Sequence, residues 1–250
     1  RSVGSSRGIG VTLESQHDND HVEVESNLNA VLTPIKTWFE RQGWDPLPFQ
    51  KKTWEAHLQG LSGLIQVPTG SGKTYAAVMG PIAQMLASAN EQAGIRLLYI
   101  TPLRALGRDL AVALQQPIEA MGWPLRVGIR NGDTPSAERS RQIKKPPEIL
   151  ITTPESLCVL LASRHCEALF KTLDTVVLDE WHELIGSKRG IQAELALSWL
   201  RQQRPQLQTW AISATIGNLE ESARHALGET GEPCLITGAP KRGLEIRSIL

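Results

Sequence analysis

The fold is decided by the stretch Val67-Pro68-Thr69-Gly70-Ser71-Gly72-Lys73-Thr74, which follows an apolar run and precedes a helical pattern from Tyr75 to Ala89. A glycine-rich turn between a strand and a helix points backbone N–H groups inward, next to the positive end of the helix dipole. Both features suit a polyphosphate. Lys73 adds a positive charge for the β and γ phosphates, and the Thr74 hydroxyl is a ligand for Mg²⁺. The whole stretch from Thr69 through Gly70, Ser71 and Gly72 to Thr74 is therefore predicted to bind nucleotide.

The composition is that of an ordinary globular protein. The 250 residues are 41% hydrophobic and 21% charged, which leaves ample material for a core. The formal net charge is +0, so composition alone argues mildly against a DNA-binding protein. Three cysteines without metal-ligand spacing favour reduced thiols. No membrane-length apolar run or secretory signal pattern is present, and we expect a cytoplasmic protein.

A second glycine-rich segment, Gly4-Ser5-Ser6-Arg7-Gly8-Ile9-Gly10, resembles the cofactor turn of short-chain dehydrogenases. Its surroundings do not fit that function, because no strand precedes it and the following residues 14–25 are polar and acidic. We interpret residues 1–27 as a disordered lead-in.

From residue 28 onward, helical patterns alternate with short apolar runs. The predicted helices include 28–42, 103–114, 135–144, 155–162, 191–202 and 219–227, and the predicted strands are 64–67, 96–100, 125–129, 149–152, 175–179, 209–213 and 234–237. This alternation predicts an α/β domain with a mostly parallel sheet and helices on both faces.

An acidic pair follows the buried run 176–178. Asp179 at the end of such a strand is suited to hold Mg²⁺ opposite Thr74, and Glu180 to orient or deprotonate an attacking water. His182 is expected to connect this pair to other parts of the domain. The hydroxyls of Ser213 and Thr215, after the next strand, are the expected coupling groups.

Three further strand-to-helix turns offer hydroxyls, backbone N–H groups and helix N-termini at the same sheet edge. Such groups suit phosphodiester oxygens, and Arg104 adds a guanidinium. The predicted nucleic-acid residues are Pro102, Leu103 and Arg104, then Gly132, Asp133 and Thr134, and then Thr153, Pro154 and Glu155.

Together with Phe49-Gln50 upstream, these segments resemble, in order and spacing, motifs Q, I, Ia, Ib, II and III of a superfamily 2 DExH-box helicase. Asp179-Glu180-Trp181-His182 and the following residues 183–190 look like the Lhr group, and residues 38–49 are similar to bacterial ligase-associated helicases of DNA repair. The resemblance implies a RecA-like P-loop NTPase domain over 28–240 that uses ATP and Mg²⁺, reads adenine with Gln50 and moves on single-stranded DNA.

The resemblance also implies a second RecA-like domain, with residues 241–250 as the start of the linker to it. That domain supplies arginine fingers, worth roughly three to five orders of magnitude in rate, so a chain without it is expected to hydrolyse ATP weakly. A DNA repair ligase or nuclease is the protein partner implied. Two alternatives stay open: an RNA helicase, and a nucleotide-dependent nucleic-acid-binding module with little turnover.

Overall fold

The computed structural model describes residues 14–88, 94–214, 217–228 and 232–238. The glycine-rich segment 4–10, Thr215 and the expected linker 241–250 lie outside these residues. The strands are β1 (Gly63–Gln66), β2 (Leu97–Ile100), β3 (Val127–Arg130), β4 (Ile149–Thr152), β5 (Thr175–Leu178), β6 (Gln208–Ser213) and β7 (Cys234–Thr237). The helices are α1 (Glu14–Arg41), α2 (Pro48–Leu58), α3 (Lys73–Ala87), α4 (Leu106–Met121), α5 (Ser136–Lys144), α6 (Pro154–Leu161), α7 (Cys166–Phe170), α8 (Trp181–Leu184), α9 (Lys188–Gln203) and α10 (Leu219–Leu227).

All strands join one parallel, 7-stranded sheet in the order β3-β4-β2-β5-β6-β1-β7. The inner strands β2, β4 and β5 are buried along their whole length, which explains their uninterrupted apolar sequences. The outermost strand β3 is half-buried throughout. Because every strand runs the same way, all the turns after the strands meet at one edge of the sheet.

Side chains alternate between two apolar layers on opposite faces of the sheet. Ile65 and Tyr99 belong to the layer covered by α1 to α4, whereas Leu64 and Ile100 belong to the layer covered by α6 to α10. The prediction of an α/β fold with helices on both faces is confirmed.

Helices α1 and α4 differ most from the predicted boundaries. Helix α1 begins at Glu14, so residues 14–27 of the expected disordered lead-in are helical; extending an existing helix costs far less than nucleating one, and needs no apolar pattern. Helix α4 begins at Leu106 and not at Leu103, because a turn at residues 104–105 precedes it, and it continues to Met121. Within the described residues, no helix combines the length and apolar character that a membrane crossing requires.

Candidate nucleotide site and nucleic-acid edge

The phosphate loop connects β1 to α3 and depends on two glycines with left-handed backbone. Gly70 and Gly72 have φ of +76° and +86°, a region that glycine enters without steric cost. Ser71 stabilises the loop through two internal hydrogen bonds, because its N–H and its hydroxyl both donate to the Pro68 carbonyl, at 3.3 and 2.6 Å. Residues 68–70 are exposed, whereas Lys73 in the first turn of α3 is buried. The loop is thus open to solvent with a buried cation at its base.

The acidic pair lies directly against this cation. Lys73 Nζ forms an ion pair with a Glu180 carboxylate oxygen. Glu180 is the only non-glycine residue with positive φ in the described part of the chain, at 44°, and its N–H donates to Asp179 Oδ1 at 3.0 Å. Such a backbone conformation costs roughly 1–2 kcal/mol and is retained where the surroundings enforce it. The turn after β5 therefore aims both carboxylates at the phosphate loop.

The environment of Asp179 disfavours its charge. Burial raises the pKa of this carboxyl, the neighbouring Glu180 raises it further, and Lys73 acts in the opposite direction. A divalent cation beside Asp179 would favour the ionised form and remove this penalty. Thr74 starts the same helix as Lys73, so a hydroxyl and a carboxylate suited to Mg²⁺ stand at one end of the loop. These two oxygen ligands, together with the phosphate loop, fit a nucleotide bound with Mg²⁺.

Gln50 lies at the phosphate loop, as the spacing predicted, but its amide has partners within the protein. Gln50 Nε2 donates to the Gly72 carbonyl at 3.0 Å, and its Oε1 accepts from the Leu47 N–H at 2.8 Å. One N–H and one lone pair of the amide are left for a base. Phe49, the neighbouring residue of α2, is buried in the core beside Val67. Adenine recognition by Gln50 stays a prediction.

His182 connects the acidic pair to β6. Its Nδ1 lies 3.5 Å from Glu180 Oε2 and 3.2 Å from the Ser213 hydroxyl, so it touches both groups. The sequence anticipated this connection for His182 and Ser213.

The predicted nucleic-acid turns follow β2, β3 and β4, which are neighbours in the sheet. In the first turn, Leu103 and Arg104 are exposed, whereas Pro102 is buried. Arg104 Nη1 lies 3.4 Å from Asp133 Oδ1 in the second turn, and 56% and 62% of these two side chains are exposed. A pair this exposed contributes little to stability, so the guanidinium is free to exchange Asp133 for a phosphate.

The turn 131–134 is held in one shape by a residue that the sequence analysis missed. Arg139 donates from Nε to the Thr134 carbonyl at 2.8 Å, and from Nη2 to the Asn131 and Gly132 carbonyls at 3.1 and 2.9 Å. Inside the turn, the Asp133 N–H donates to Asn131 Oδ1 at 2.9 Å. Arg139 thereby leaves Gly132 and Asp133 exposed in a fixed arrangement.

In the third turn only Glu155 has a side chain that reaches the surface. Thr153 and Pro154 are buried and start α6, with Thr153 Oγ1 accepting from the Ser156 N–H at 3.4 Å. Any contact to a backbone phosphate at these two residues would therefore come from main-chain groups. Glu155 pairs with Arg189, also missed, at 2.5 Å from Nε to Oε1. Burial is the largest single influence and acts to raise the pKa of Glu155, but the Arg189 guanidinium, the backbone N–H of Glu155 and the Thr153 hydroxyl together lower it.

A parallel sheet with a glycine-rich phosphate loop after β1 and a carboxylate pair after β5 defines a P-loop NTPase domain of the RecA-like kind. The chain belongs to the DEAD/DEAH box helicase family, whose model matches residues 47–222.

Curated relatives and solved structures agree on an Lhr-type helicase. The chain is 36% identical to the Lhr helicase/uracil glycosylase of Escherichia coli over 88% of its length, and 36% identical to the ATP-dependent helicase Lhr-Core protein 2 of Thermococcus barophilus, again over 88%. It spans only 15% and 26% of those two proteins. The structure of Mycobacterium smegmatis helicase Lhr bound to ssDNA and AMP-PNP is similar with a TM-score of 0.74 and 34% identity, over 83% of this chain and 28% of that one.

Proposed function

We propose that this chain is the first motor domain of an ATP-dependent DNA helicase or translocase, in which ATP hydrolysis is coupled to movement on single-stranded DNA. The observation that carries the proposal is the contact between Lys73 of the phosphate loop and Glu180 of the acidic pair. Exposed residues of neighbouring strand ends share the same sheet edge. Nucleotide and nucleic acid would therefore bind to one rigid sheet.

The proposed ATP site consists of Gln50, the loop 69–74 and Asp179. Thr74 and Asp179 would hold Mg²⁺, which would supply positive charge to the phosphates of the nucleotide. Lys73 is paired with Glu180, and a nucleotide phosphate would offer this cation a further anionic partner. Glu180 then exchanges Lys73 for a water molecule, which it orients and deprotonates.

The proposal of DNA as the substrate rests on the 34% identical Lhr structure with bound ssDNA. The phosphodiester contacts would come from Arg104, from the turn 132–134, in which Gly132 and Asp133 are exposed, and from main-chain groups at the start of α6. An RNA helicase remains the second candidate, because contacts to phosphates serve both polymers. Hydrolysis stimulated at least as well by single-stranded RNA as by DNA would contradict the DNA assignment.

The partners and the cellular role are further parts of the proposal. A second RecA-like domain with arginine fingers would complete the ATP site in the whole enzyme, and residues 241–250 would lead to it. A role in DNA repair beside a ligase or nuclease, and a cytoplasmic location, rest on the resemblance to ligase-associated helicases and on the cysteine content. In the absence of the second domain, the chain would act as a nucleotide-dependent binding module.

Two variants test the proposed ATP site. Lys73→Ala should abolish binding of a fluorescent ATP analogue, because the buried cation is lost. Glu180→Gln should retain binding while lowering DNA-stimulated hydrolysis by roughly 10²–10⁴-fold, the usual contribution of a general base. Both are measured by equilibrium titration and by phosphate release. Undiminished hydrolysis in Glu180→Gln would contradict the role of this carboxylate, and unchanged nucleotide affinity in Lys73→Ala would refute the site itself.

A further inference from the structure

Within the described residues, one buried hydroxyl at the nucleotide site lacks a hydrogen bond of normal geometry. Tyr99 lies in the middle of β2, with the aliphatic residues Leu97, Leu98 and Ile100 around it. Its side chain is 0% exposed, and its hydroxyl lies near the Asp179 and Thr74 side chains without forming a hydrogen bond of normal geometry to any group in the described part of the chain. A buried hydroxyl without a partner is costly and needs an explanation.

The sheet register places this hydroxyl beside the proposed Mg²⁺ ligands. Tyr99 is paired with Val177 of β5, and both belong to the apolar layer beneath α3. Asp179 lies two residues beyond Val177, so its side chain leaves the backbone on the same face of the sheet as Val177 and Tyr99. Thr74 is in the first turn of α3, above that face. The phenol thus extends from the sheet toward the space between Asp179 and Thr74.

The electrostatics agree with this placement. Burial raises the pKa of the Tyr99 phenol well above its usual range, the Asp179 carboxylate raises it further, and the Thr74 hydroxyl opposes the shift. A tyrosine hydroxyl carries its proton at neutral pH even without such a shift, so the phenol is available as a donor. Asp179, in turn, accepts the Glu180 N–H on Oδ1, which leaves lone pairs on its carboxylate unused.

We infer that Tyr99 is a positioning residue for the metal, whose hydroxyl donates to the Asp179 carboxylate when Asp179 binds Mg²⁺. Groups that hydrogen-bond to a metal-binding carboxylate fix its orientation, and their loss typically lowers metal affinity by about 10–100-fold. The inference rests on the proposed nucleotide site and adds a residue to it. It also explains why a tyrosine occupies a strand in which an aliphatic side chain would pack without an unsatisfied hydroxyl.

The test uses the chain's two tyrosines as a matched pair. Tyr99→Phe removes the unpartnered hydroxyl with almost no change in volume. Tyr75→Phe is the control, because Tyr75 directly follows Thr74 but donates to the Ala113 carbonyl at 3.3 Å. Binding of a fluorescent ATP analogue is titrated with Mg²⁺, and separately in EDTA. Thermal unfolding of each ligand-free variant is measured alongside.

For Tyr99→Phe we expect the Mg²⁺ concentration at half-maximal binding to rise about tenfold or more, with unchanged affinity in EDTA. The ligand-free variant should unfold at a temperature close to that of the wild type, since only a hydroxyl without a hydrogen bond of normal geometry is removed. Tyr75→Phe should leave the Mg²⁺ midpoint unchanged. An unchanged midpoint in Tyr99→Phe, or equal weakening with and without Mg²⁺, would overturn the inference. Failure of the proposed site itself would be seen separately, as nucleotide binding retained in Lys73→Ala.

Discussion

Acidification should destabilise the chain through His57, a histidine in α2 that lies between α3 and β6. Its Nε2 lies 2.7 Å from Gln84 Oε1, and its Nδ1 accepts from Trp210 Nε1 at 3.3 Å. Because the Trp210 indole can only donate, His57 must be neutral, with its proton on Nε2. Burial lowers the pKa of His57 from 6.5 to about 4, and the Gln84 hydrogen bond opposes this only in part. Neither hydrogen-bond partner of the ring can titrate.

The size and sign of the effect follow from proton linkage. Between pH 4 and pH 6.5 the unfolded chain binds a proton at His57 that the folded chain does not. The contribution to stability is therefore complete above the unfolded pKa and is lost as the pH falls through 6.5 toward the folded pKa of about 4. The lowering from 6.5 to about 4 corresponds to about 3 kcal/mol in total, of which about 2 kcal/mol is lost by about pH 5.

The assay is urea unfolding of the wild type and of His57→Gln at about pH 7.5 and about pH 5. Glutamine can donate to Gln84 and accept from Trp210, but it does not titrate. The free energy of unfolding of the wild type should fall by about 2 kcal/mol more than that of His57→Gln.

Two results would refute this reasoning. One is an equal loss of stability in the wild type and in His57→Gln on acidification. The other does not depend on the variant being stable: in NMR spectra of the folded wild type, the His57 ring should stay neutral near pH 5, and titration close to 6.5 would contradict the burial argument.

Three other substitutions probe the phosphate loop and the nucleic-acid edge. Arg104→Ala should weaken single-stranded DNA binding and reduce the slope of log Kd against log salt by about 0.7, as expected for one lost phosphate contact. Arg139→Ala should weaken binding with an unchanged slope, because its guanidinium is already bonded to the turn carbonyls; a reduced slope would show that it contacts DNA directly. Gly72→Ala should cost about 1–2 kcal/mol of stability from its φ of +86° alone, and should also displace Gln50, whose Nε2 is 2.8 Å from the added Cβ. Gly43→Ala is the control, because Gly43 also has a left-handed backbone, with φ of +70°, but no atom lies within 4 Å of its added Cβ. Equal nucleotide affinity in the two alanine variants would contradict the role of the Gln50 contact.

The strands could be predicted closely because burial on both faces leaves a simple signal. The fully buried β4 begins and ends where the sequence indicates, and so does the edge strand β7, although only Ile236 of β7 is buried. The short helices α7 and α8 were missed because five and four residues are too few to show a helical period. The early start of α1 was missed because its polar first half has no apolar face.

The candidate site was predicted as a set of residues but not as a set of contacts. Motif spacing placed Lys73 and Glu180 at one site, yet nothing in the spacing indicates that they pair directly. Arg139 was missed because its bonds go to backbone carbonyls, for which the sequence carries no pattern. Tyr99 did have a signal, a phenol within an aliphatic strand, and the question of where its hydroxyl goes would have led to Asp179.

The strand order indicates how the nucleotide site is connected to the predicted nucleic-acid turns, which follow β2, β3 and β4 at the same edge of the sheet. β5, which carries the acidic pair, has β6 on one side and β2 on the other. The contact from His182 to Ser213 leads to β6 and on to the phosphate loop after β1, away from the predicted nucleic-acid turns. β2 leads from Tyr99 to the turn with Arg104 within one continuous segment. If Tyr99 bonds to Asp179 as inferred, the direct connection from the metal to the nucleic-acid edge within this domain runs along β2, and Ser213 serves the nucleotide side.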